Sequence, residues 1–174
     1  MTDTLVFSSD DITTLAEPRT KLINEAPPGM LTTYAAILPE SGYMGGYTYS
    51  AGFGERDAWF MTPLFDADSG APLALLDGAS MNPFKTGAAG AVGVDHLARA
   101  DAEAVGIIGS GAQARGQLRA TATVRDLSAV RVYSPTRANR EAFAEEIAET
   151  LDCEVRAVDD SADAVVDADI VITA

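Results

Sequence analysis

The sequence predicts an α/β chain: an antiparallel α+β region followed by an incomplete parallel sheet of about four strands. Three observations predict it. Between residues 30 and 77, runs rich in Tyr, Phe, Trp, Leu and Thr are separated by Gly, Pro and Asp clusters, the pattern of an antiparallel meander. From Ala104 onward, apolar runs of strand length alternate with helical patterns, which calls for parallel strands joined by crossovers. At the first such junction stands Gly109-Ser110-Gly111-Ala112-Gln113-Ala114, a glycine turn between a strand and a helix.

Leu5-Val6-Phe7 reads as a short strand, and Ser8-Ser9-Asp10-Asp11 offers N-cap chemistry for a short helix through Ala16 that Pro18 ends. Ala26-Pro27-Pro28-Gly29 reads as a loop. Strands are expected at 31–38, 46–51, 58–65 and 72–77, with Asp66-Ala67-Asp68-Ser69-Gly70 as the clearest hairpin loop. The aromatic stripe of Tyr43, Tyr47, Tyr49, Phe53, Trp59 and Phe60 fits sheet core better than a ligand wall. Asn82-Pro83 supplies an N-cap and a proline at N1 for a helix to about Arg99. Gly87, Gly90 and Gly93 recur along one side of it, each costing about 1 kcal/mol against alanine. That cost implies a close neighbour there: a helix, a symmetry mate or a cofactor. His96 near the helix end reads as a surface histidine. The later expectations are strand 104–108, helix 112–124, strand 129–133, helix 138–151, strand 153–158, helix 161–167 and strand 169–173. The domain boundary falls near Arg99 to Glu103, giving domains 1–100 and 101–174. Such a sheet normally continues for two more strands, so the sequence is expected to be a fragment or a shortened product.

The chain has 174 residues, 47% of them apolar, enough to fill a core. No run is long enough to span a membrane and no secretory signal opens the chain, so the expected location is cytoplasmic. The single cysteine, Cys153, excludes a disulfide framework and reads as a buried, inert thiol. The net charge of −14, from 26 acidic and 12 basic residues, argues against nucleic acid or an anionic membrane as partner. Acidic, lysine-poor composition also fits a halophile-like surface, whose mark is a melting temperature that rises with molar salt. An ordinary acidic cytosolic surface is the alternative.

The glycine turn has the G-x-G-x-x-A form of a dinucleotide-binding fingerprint, which makes the second region a Rossmann-type sheet. Gly109 permits the tight turn, Gly111 lets a pyrophosphate approach the backbone, and Ala114 lets the helix pack close to the strand. Free N–H groups of Ala112 and the residues after it face the phosphates at the helix start, helped by the helix dipole. An NAD site usually places Asp or Glu about 20 residues on, at the end of the second strand. This chain has Ser134, with Thr136 and Arg137 beside it and no carboxylate. Ser134 and Thr136 can donate hydrogen bonds and Arg137 can pair with a 2′-phosphate, which favours NADP(H) over NAD(H). No metal-binding cluster is evident.

Three stretches together resemble the ornithine cyclodeaminase/mu-crystallin family. They are Gly70-Ala71-Pro72-Leu73-Ala74-Leu75-Leu76-Asp77-Gly78 with Lys85-Thr86-Gly87-Ala88-Ala89 and Leu97-Ala98-Arg99, then Gly109 to Ala114 with Arg115, then Ala168-Asp169-Ile170-Val171-Ile172-Thr173-Ala174. The resemblance implies an N-terminal substrate and dimerisation domain, a homodimer in the full-length form, and hydride transfer between nicotinamide and the α-carbon of a small amino or imino acid. It places Arg19 and Lys85 at the substrate carboxylate, and Thr86 and Thr173 with the cofactor residues. Lys85 stands where the family usually has arginine, keeping the charge without the bidentate fork. The family's site lysine falls at Tyr47 or Thr48, neither of which carries an ammonium, and its catalytic aspartate falls beyond Ala174. The resemblance therefore implies an NAD(P)-dependent oxidoreductase or deaminase of the ornithine cyclodeaminase, alanine dehydrogenase or ketimine reductase type. The alternatives are a non-catalytic, NADP(H)-binding relative and a dimerisation fragment that binds nothing.

Overall fold

The computed structural model describes residues 19–53 and 58–174, together with the backbone of 5–9 and 12–16. The chain divides into two compact units, Met1–Ser80 and Met81–Ala174.

In the first unit, β1 (Leu5–Ser9) and β2 (Ile12–Ala16) form an antiparallel hairpin with Leu5 opposite Ala16. This corrects the short helix expected through Ala16. Ile12-Thr13-Thr14 is β-branched and so short a segment is a poor helix on its own, whereas as a strand it gains two neighbours, β1 and β4. Asp10, Asp11, Glu17 and Pro18, part of the expected cap, helix stop and arginine motif, lie outside the described residues. A further strand, β3 (Thr20–Glu25), pairs with the first half of β4 (Pro28–Leu38). The expected loop at 26–29 is thus only a turn at Ala26-Pro27, with Pro28 opening a strand, where its missing N–H is tolerated. β5 (Tyr43–Ala51), β6 (Ala58–Asp66) and β7 (Pro72–Asp77) complete the meander in the order β1-β2-β4-β5-β6-β7. The Asp66–Gly70 hairpin loop is present, closed by Ser69 N–H donating to Asp66 Oδ1 at 2.7 Å and Gly70 N–H to the Asp66 carbonyl at 3.0 Å.

The aromatic stripe divides into clustered and exposed rings. Tyr34 lies opposite Tyr47, and Tyr49 opposite both Thr32 and Phe60. Tyr47 is buried in a ring cluster, 5.4 Å from Tyr34, 6.1 Å from Tyr49 and 5.6 Å from Phe60 between centroids. Tyr43, Phe53 and Trp59 remain exposed.

Helix α1 (Gly78–Leu97) begins ahead of the expected Asn82-Pro83 start. Asp77 is the reason: its carboxylate accepts the N–H groups of Ala79 at 3.0 Å and Ser80 at 3.3 Å, satisfying orphan donors of the first turn. His96 is exposed on its last turn.

The second unit alternates as expected: β8 (Ala104–Ile108), α2 (Ala112–Thr121), β9 (Ala129–Tyr133), α3 (Arg137–Ala148), β10 (Glu154–Ala157), α4 (Ser161–Val165) and β11 (Ile170–Thr173). The strands are parallel in the order β10-β9-β8-β11. Val105, Gly106 and Ile107 of β8 are all buried, as befits a central parallel strand covered on both faces. Leu118 on α2, with Phe143 and Ile147 on α3, sits at helical spacing and closes the core over the sheet. Burying each such side chain contributes roughly 1.5–3 kcal/mol. Cys153 packs at the edge of this core, where burial pushes its thiol above the ordinary value and keeps it unreactive. Among the described residues, no helix is long and apolar enough to cross a membrane.

Three polar or close contacts pin this unit. Gly87 of α1 and Gly116 of α2 touch backbone to backbone: a Cβ on Gly87 would lie 2.3 Å from the Gly116 carbonyl oxygen, and one on Gly116 the same distance from that of Pro83. The neighbour implied by the glycine stripe is therefore α2. Gly90 faces Gln117 more loosely, and a Cβ on Gly93 would meet nothing within 4 Å among the described residues. Arg125, almost fully buried, spreads its guanidinium over the end of α1. It donates to the carbonyls of Val94, Asp95, Ala98 and Arg99 at 3.0–3.1 Å and pairs with the Asp95 carboxylate at 3.3 Å. Asp169, just before β11, accepts the N–H groups of Glu103 and Ala104, both at 3.0 Å, and pairs with Arg99.

Those two N–H groups, with Arg99 adding to them, hold the Asp169 carboxyl below the ordinary carboxylate range. A depressed native value means that the unfolded chain takes up the proton first as pH falls. The contribution is therefore complete above the ordinary carboxylate pKa, about 4, and is lost as pH drops below it. Asp169→Asn is expected to lower the melting temperature at pH 7 and to flatten its fall between about pH 5 and pH 3. Thermal melts across that range check it, and an unchanged slope counts against it.

Candidate functional site

The parallel sheet reverses direction after β10, since the chain returns to lay β11 on the other side of β8. Beyond the carboxyl ends of β8 and β11 lies the switch point at which sheets of this kind bind ligands. The glycine turn stands there. Gly109 adopts φ +121°, which L side chains avoid, and a Cβ on it would fall 1.8 Å from the Ala174 carbonyl oxygen. Its N–H donates to the Tyr133 carbonyl at 2.7 Å, fixing the turn to the next strand.

Gly111 is the N-cap residue of α2 and supplies no capping side chain. A Cβ on it would meet nothing within 4 Å among the described residues, so the space in front of the helix is open. The first N–H groups of α2, from Ala112 and Gln113 on, are left for an anion. Ala114 is fully buried against the sheet, as its place in the motif requires. Gln113 Oε1 is buried without a hydrogen-bond partner among the described residues. An open cradle, a positive-φ glycine and an uncapped helix start are what a pyrophosphate needs, so the residues fit a dinucleotide. Thr173 pairs in register with Ile108, which puts it beside the turn, with its side chain exposed.

At the end of β9, Ser134 is buried and linked inward. Ser110 Oγ donates to Ser134 Oγ at 2.9 Å, and Arg140 Nη1 donates to the Ser134 carbonyl at 2.9 Å. Ser134 thus ties the second strand to the glycine turn. Thr136, the N-cap residue of α3, and Arg137 beside it are exposed, and Arg137 Nε pairs with Glu141 at 2.7 Å. The Glu141 carboxylate, through its hydrogen bond first, raises the Arg137 pKa and keeps the guanidinium charged.

Lys85 and Thr86 lie on α1, immediately before the Gly87 contact with α2. Lys85 is exposed, and the half-buried Thr86 hydroxyl lies 3.4 Å from Asn82 Oδ1. Because the Gly87–Gly116 contact is backbone to backbone, it fixes these two residues relative to the helix that opens at the glycine turn.

Within the first unit, Arg19 and Tyr47 come to one ring cluster. Arg19 Nη1 lies 3.5 Å from the Tyr49 hydroxyl, and Tyr49 stacks on Phe60 at 5.1 Å and on Tyr47. Tyr47 donates its hydroxyl to the Gly78 carbonyl at 3.2 Å. Burial, then neighbouring Tyr34, Tyr49 and Asp77, push its phenol above the ordinary value, so it stays protonated. Thr48 shares a hydrogen bond with Thr33 at 2.8 Å. Tyr34 was missed by sequence reasoning, because it meets Tyr47 only when β4 and β5 pair, and the approach of Arg19 to Tyr49 likewise depends on strand pairing.

The sequence pattern of the ornithine cyclodeaminase/mu-crystallin family matches residues 43–174. A Δ1-pyrroline-2-carboxylate reductase of Bacillus cereus is 31% identical over 97% of this chain and 48% of its own length. The structure of Thermococcus litoralis Δ1-pyrroline-2-carboxylate reductase in complex with NADH and L-proline matches with a TM-score of 0.83. It is 32% identical over 92% of this chain and 51% of that one. An archaeal alanine dehydrogenase dimer with bound NAD matches with a TM-score of 0.74 and 26% identity over 84% of this chain and 46% of that one. The chain spans about half the length of the relatives it matches.

Proposed function

The chain belongs to the ornithine cyclodeaminase/mu-crystallin family, and from that premise we propose that it is part of a nicotinamide-dependent oxidoreductase acting on small amino or imino acids. The observation that carries this reading is the glycine turn at the switch point, with Gly109 at φ +121° and open space before Gly111. A reduced nicotinamide dinucleotide bound there supplies a hydride for an imine carbon. Gly109, Ser110, Gly111, Ala112, Gln113 and Ala114 form the pyrophosphate cradle, with Thr86 and Thr173 as further cofactor contacts. Arg19, Tyr47 and Lys85 are each assigned to substrate binding, the two cations to its carboxylate. Residues 1–100 take the substrate and dimerisation role and residues 101–174 the dinucleotide role. Exposed Leu22, Ile23, Leu73 and Leu75 support a homodimer.

The experiment is the oxidation of NADH and NADPH, followed by the loss of reduced-nicotinamide absorbance, with Δ1-pyrroline-2-carboxylate as the first substrate, alongside fluorescence titration of both cofactors. A second reading, a dinucleotide-binding protein without turnover, is favoured by one observation. Tyr47 and Thr48, at the family's lysine position, are engaged with Gly78 and Thr33 and bring no ammonium. Binding without oxidation supports that reading, and absence of both sinks the two together.

Preference for NADP(H) rests on the exposed, charged Arg137 and Thr136 and on the lack of a carboxylate at the end of β9. Arg137→Glu is expected to weaken NADPH binding on the order of tenfold or more while leaving NADH within a few-fold. Equal losses for the two cofactors would sink the preference.

A further inference from the structure

A turn that offers its N–H groups to a pyrophosphate turns the carbonyls of the same peptides the other way, and those carbonyls need donors of their own. In this chain the Gly111 carbonyl takes the backbone N–H of Arg115 at 3.2 Å, and the donor for the Ser110 carbonyl comes from a side chain. Arg115, one turn into α2, directs Nη1 to the carbonyl of Ser110 and, at 3.3 Å, to that of Gly111. The guanidinium is held from the other side. Nε donates to Glu146 Oε2 at 2.6 Å, the same carboxylate accepts Arg119 Nη2 at 2.9 Å, and the Arg115 plane lies 5.0 Å from the Phe143 ring centre. Phe143 is fully buried, and both it and Glu146 stand on α3, so the clamp is anchored on a second helix.

We propose that Arg115 is a positioning residue for the dinucleotide, a clamp on the back of the glycine turn that keeps its peptide planes oriented for the pyrophosphate. This rests on the dinucleotide reading above. Without the guanidinium, the Ser110 carbonyl loses its donor. Its peptide is then free to rotate and to present oxygen, not N–H, to an anion. Charge acts in the same direction: Arg115 and Arg119 against the single Glu146 leave one net positive charge behind the cradle. Lysine carries the charge but cannot reach a carbonyl and a carboxylate with a planar fork, so it restores only part of the effect.

The test is titration of the full chain with NADH, ADP-ribose and adenosine. Arg115→Met is expected to weaken NADH and ADP-ribose on the order of tenfold or more, to leave adenosine, which lacks the pyrophosphate, unchanged, and to be partly rescued in Arg115→Lys. A uniform loss across the three ligands marks a merely structural residue and overturns the proposal, as does unchanged ADP-ribose affinity. If Arg115→Met does not fold, Glu146→Gln carries the test. It loosens the fork without removing it, and a loss of a few-fold confined to the pyrophosphate ligands is expected, with no loss overturning the clamp. Failure of the unaltered chain to bind NADH, NADPH or ADP-ribose overturns the dinucleotide reading and the clamp together. Normal binding by the unaltered chain with no selective loss in the variants overturns the clamp alone.

Discussion

Gly116→Val is expected to lower the melting temperature by roughly 5–10 °C, from an overpacking cost of about 2–3 kcal/mol. A Cβ at this position would lie 2.3 Å from the carbonyl oxygen and 2.8 Å from the carbonyl carbon of Pro83, both backbone atoms that no rotamer change can move. Relief requires α1 to back away from α2. Lys85 and Thr86 ride on the part of α1 that would shift, and the glycine turn opens α2. The same substitution is therefore expected to weaken dinucleotide affinity even in the fraction that folds. Thermal melts with and without NADPH check both effects. A variant whose melting temperature matches that of the unaltered chain would show that the two helices are not held at backbone contact.

Arg125→Met is expected to destabilise the second unit by about 3 kcal/mol, read as a lower urea midpoint at unchanged slope. Methionine fills most of the volume but donates nothing. It takes the Arg125 donors from all four carbonyls; those of Val94 and Arg99 keep the N–H groups of Ala98 and Ala102, while those of Asp95 and Ala98 lose the side-chain donor that closes the end of α1. It also removes a cation from the negative end of the helix dipole. Arg125→Lys should recover the charge and one or two of the bonds, placing its midpoint between the two. A midpoint for Arg125→Met equal to that of the unaltered chain would refute the assignment.

The sequence was most informative where burial and geometry leave a mark on residue type. β8 and β9 read cleanly because their inward positions must be apolar. The glycine turn read cleanly because a φ of +121° against a neighbouring backbone admits no side chain. β3 left no such mark. All six of its residues are exposed, so Lys21, Asn24 and Glu25 are free to be polar, and the strand exists through hydrogen bonds to β4 alone. At β2 the local capping chemistry suggested a helix, and pairing with β1 and β4 decided otherwise.

Direction was also beyond the sequence. Ser134 stands at the expected place for a ribose contact, yet its hydroxyl faces Ser110. The clamping roles of the two arginines were hidden because the groups that orient them are distant in sequence: Arg125 reaches back to residues 94–99, and Arg115, though it bonds Ser110 and Gly111 nearby, is held there by Glu146. Neither spacing follows a local rule. The family resemblance at Lys85, Gly109–Ala114 and Ala168–Ala174 supplied what local patterns could not, and the match over residues 43–174 agrees with it.

The two sheets differ in how soon their strands can find each other. In the first unit every pairing but that of β2 with β4 joins strands consecutive in the chain, and even that one spans only a short segment. In the second, β11 must add beside β8, bringing Ile170 to Val105 only after the intervening helices and strands have been made. Closing so long a segment costs more loop entropy than closing a hairpin, so the meander is expected to assemble before the strand that completes the switch point. Pulsed hydrogen exchange should accordingly find the amides of β11 protected after those of β4 and β5. The crevice beyond the carboxyl ends of β8 and β11 would then be the last feature of the second unit to take shape during folding.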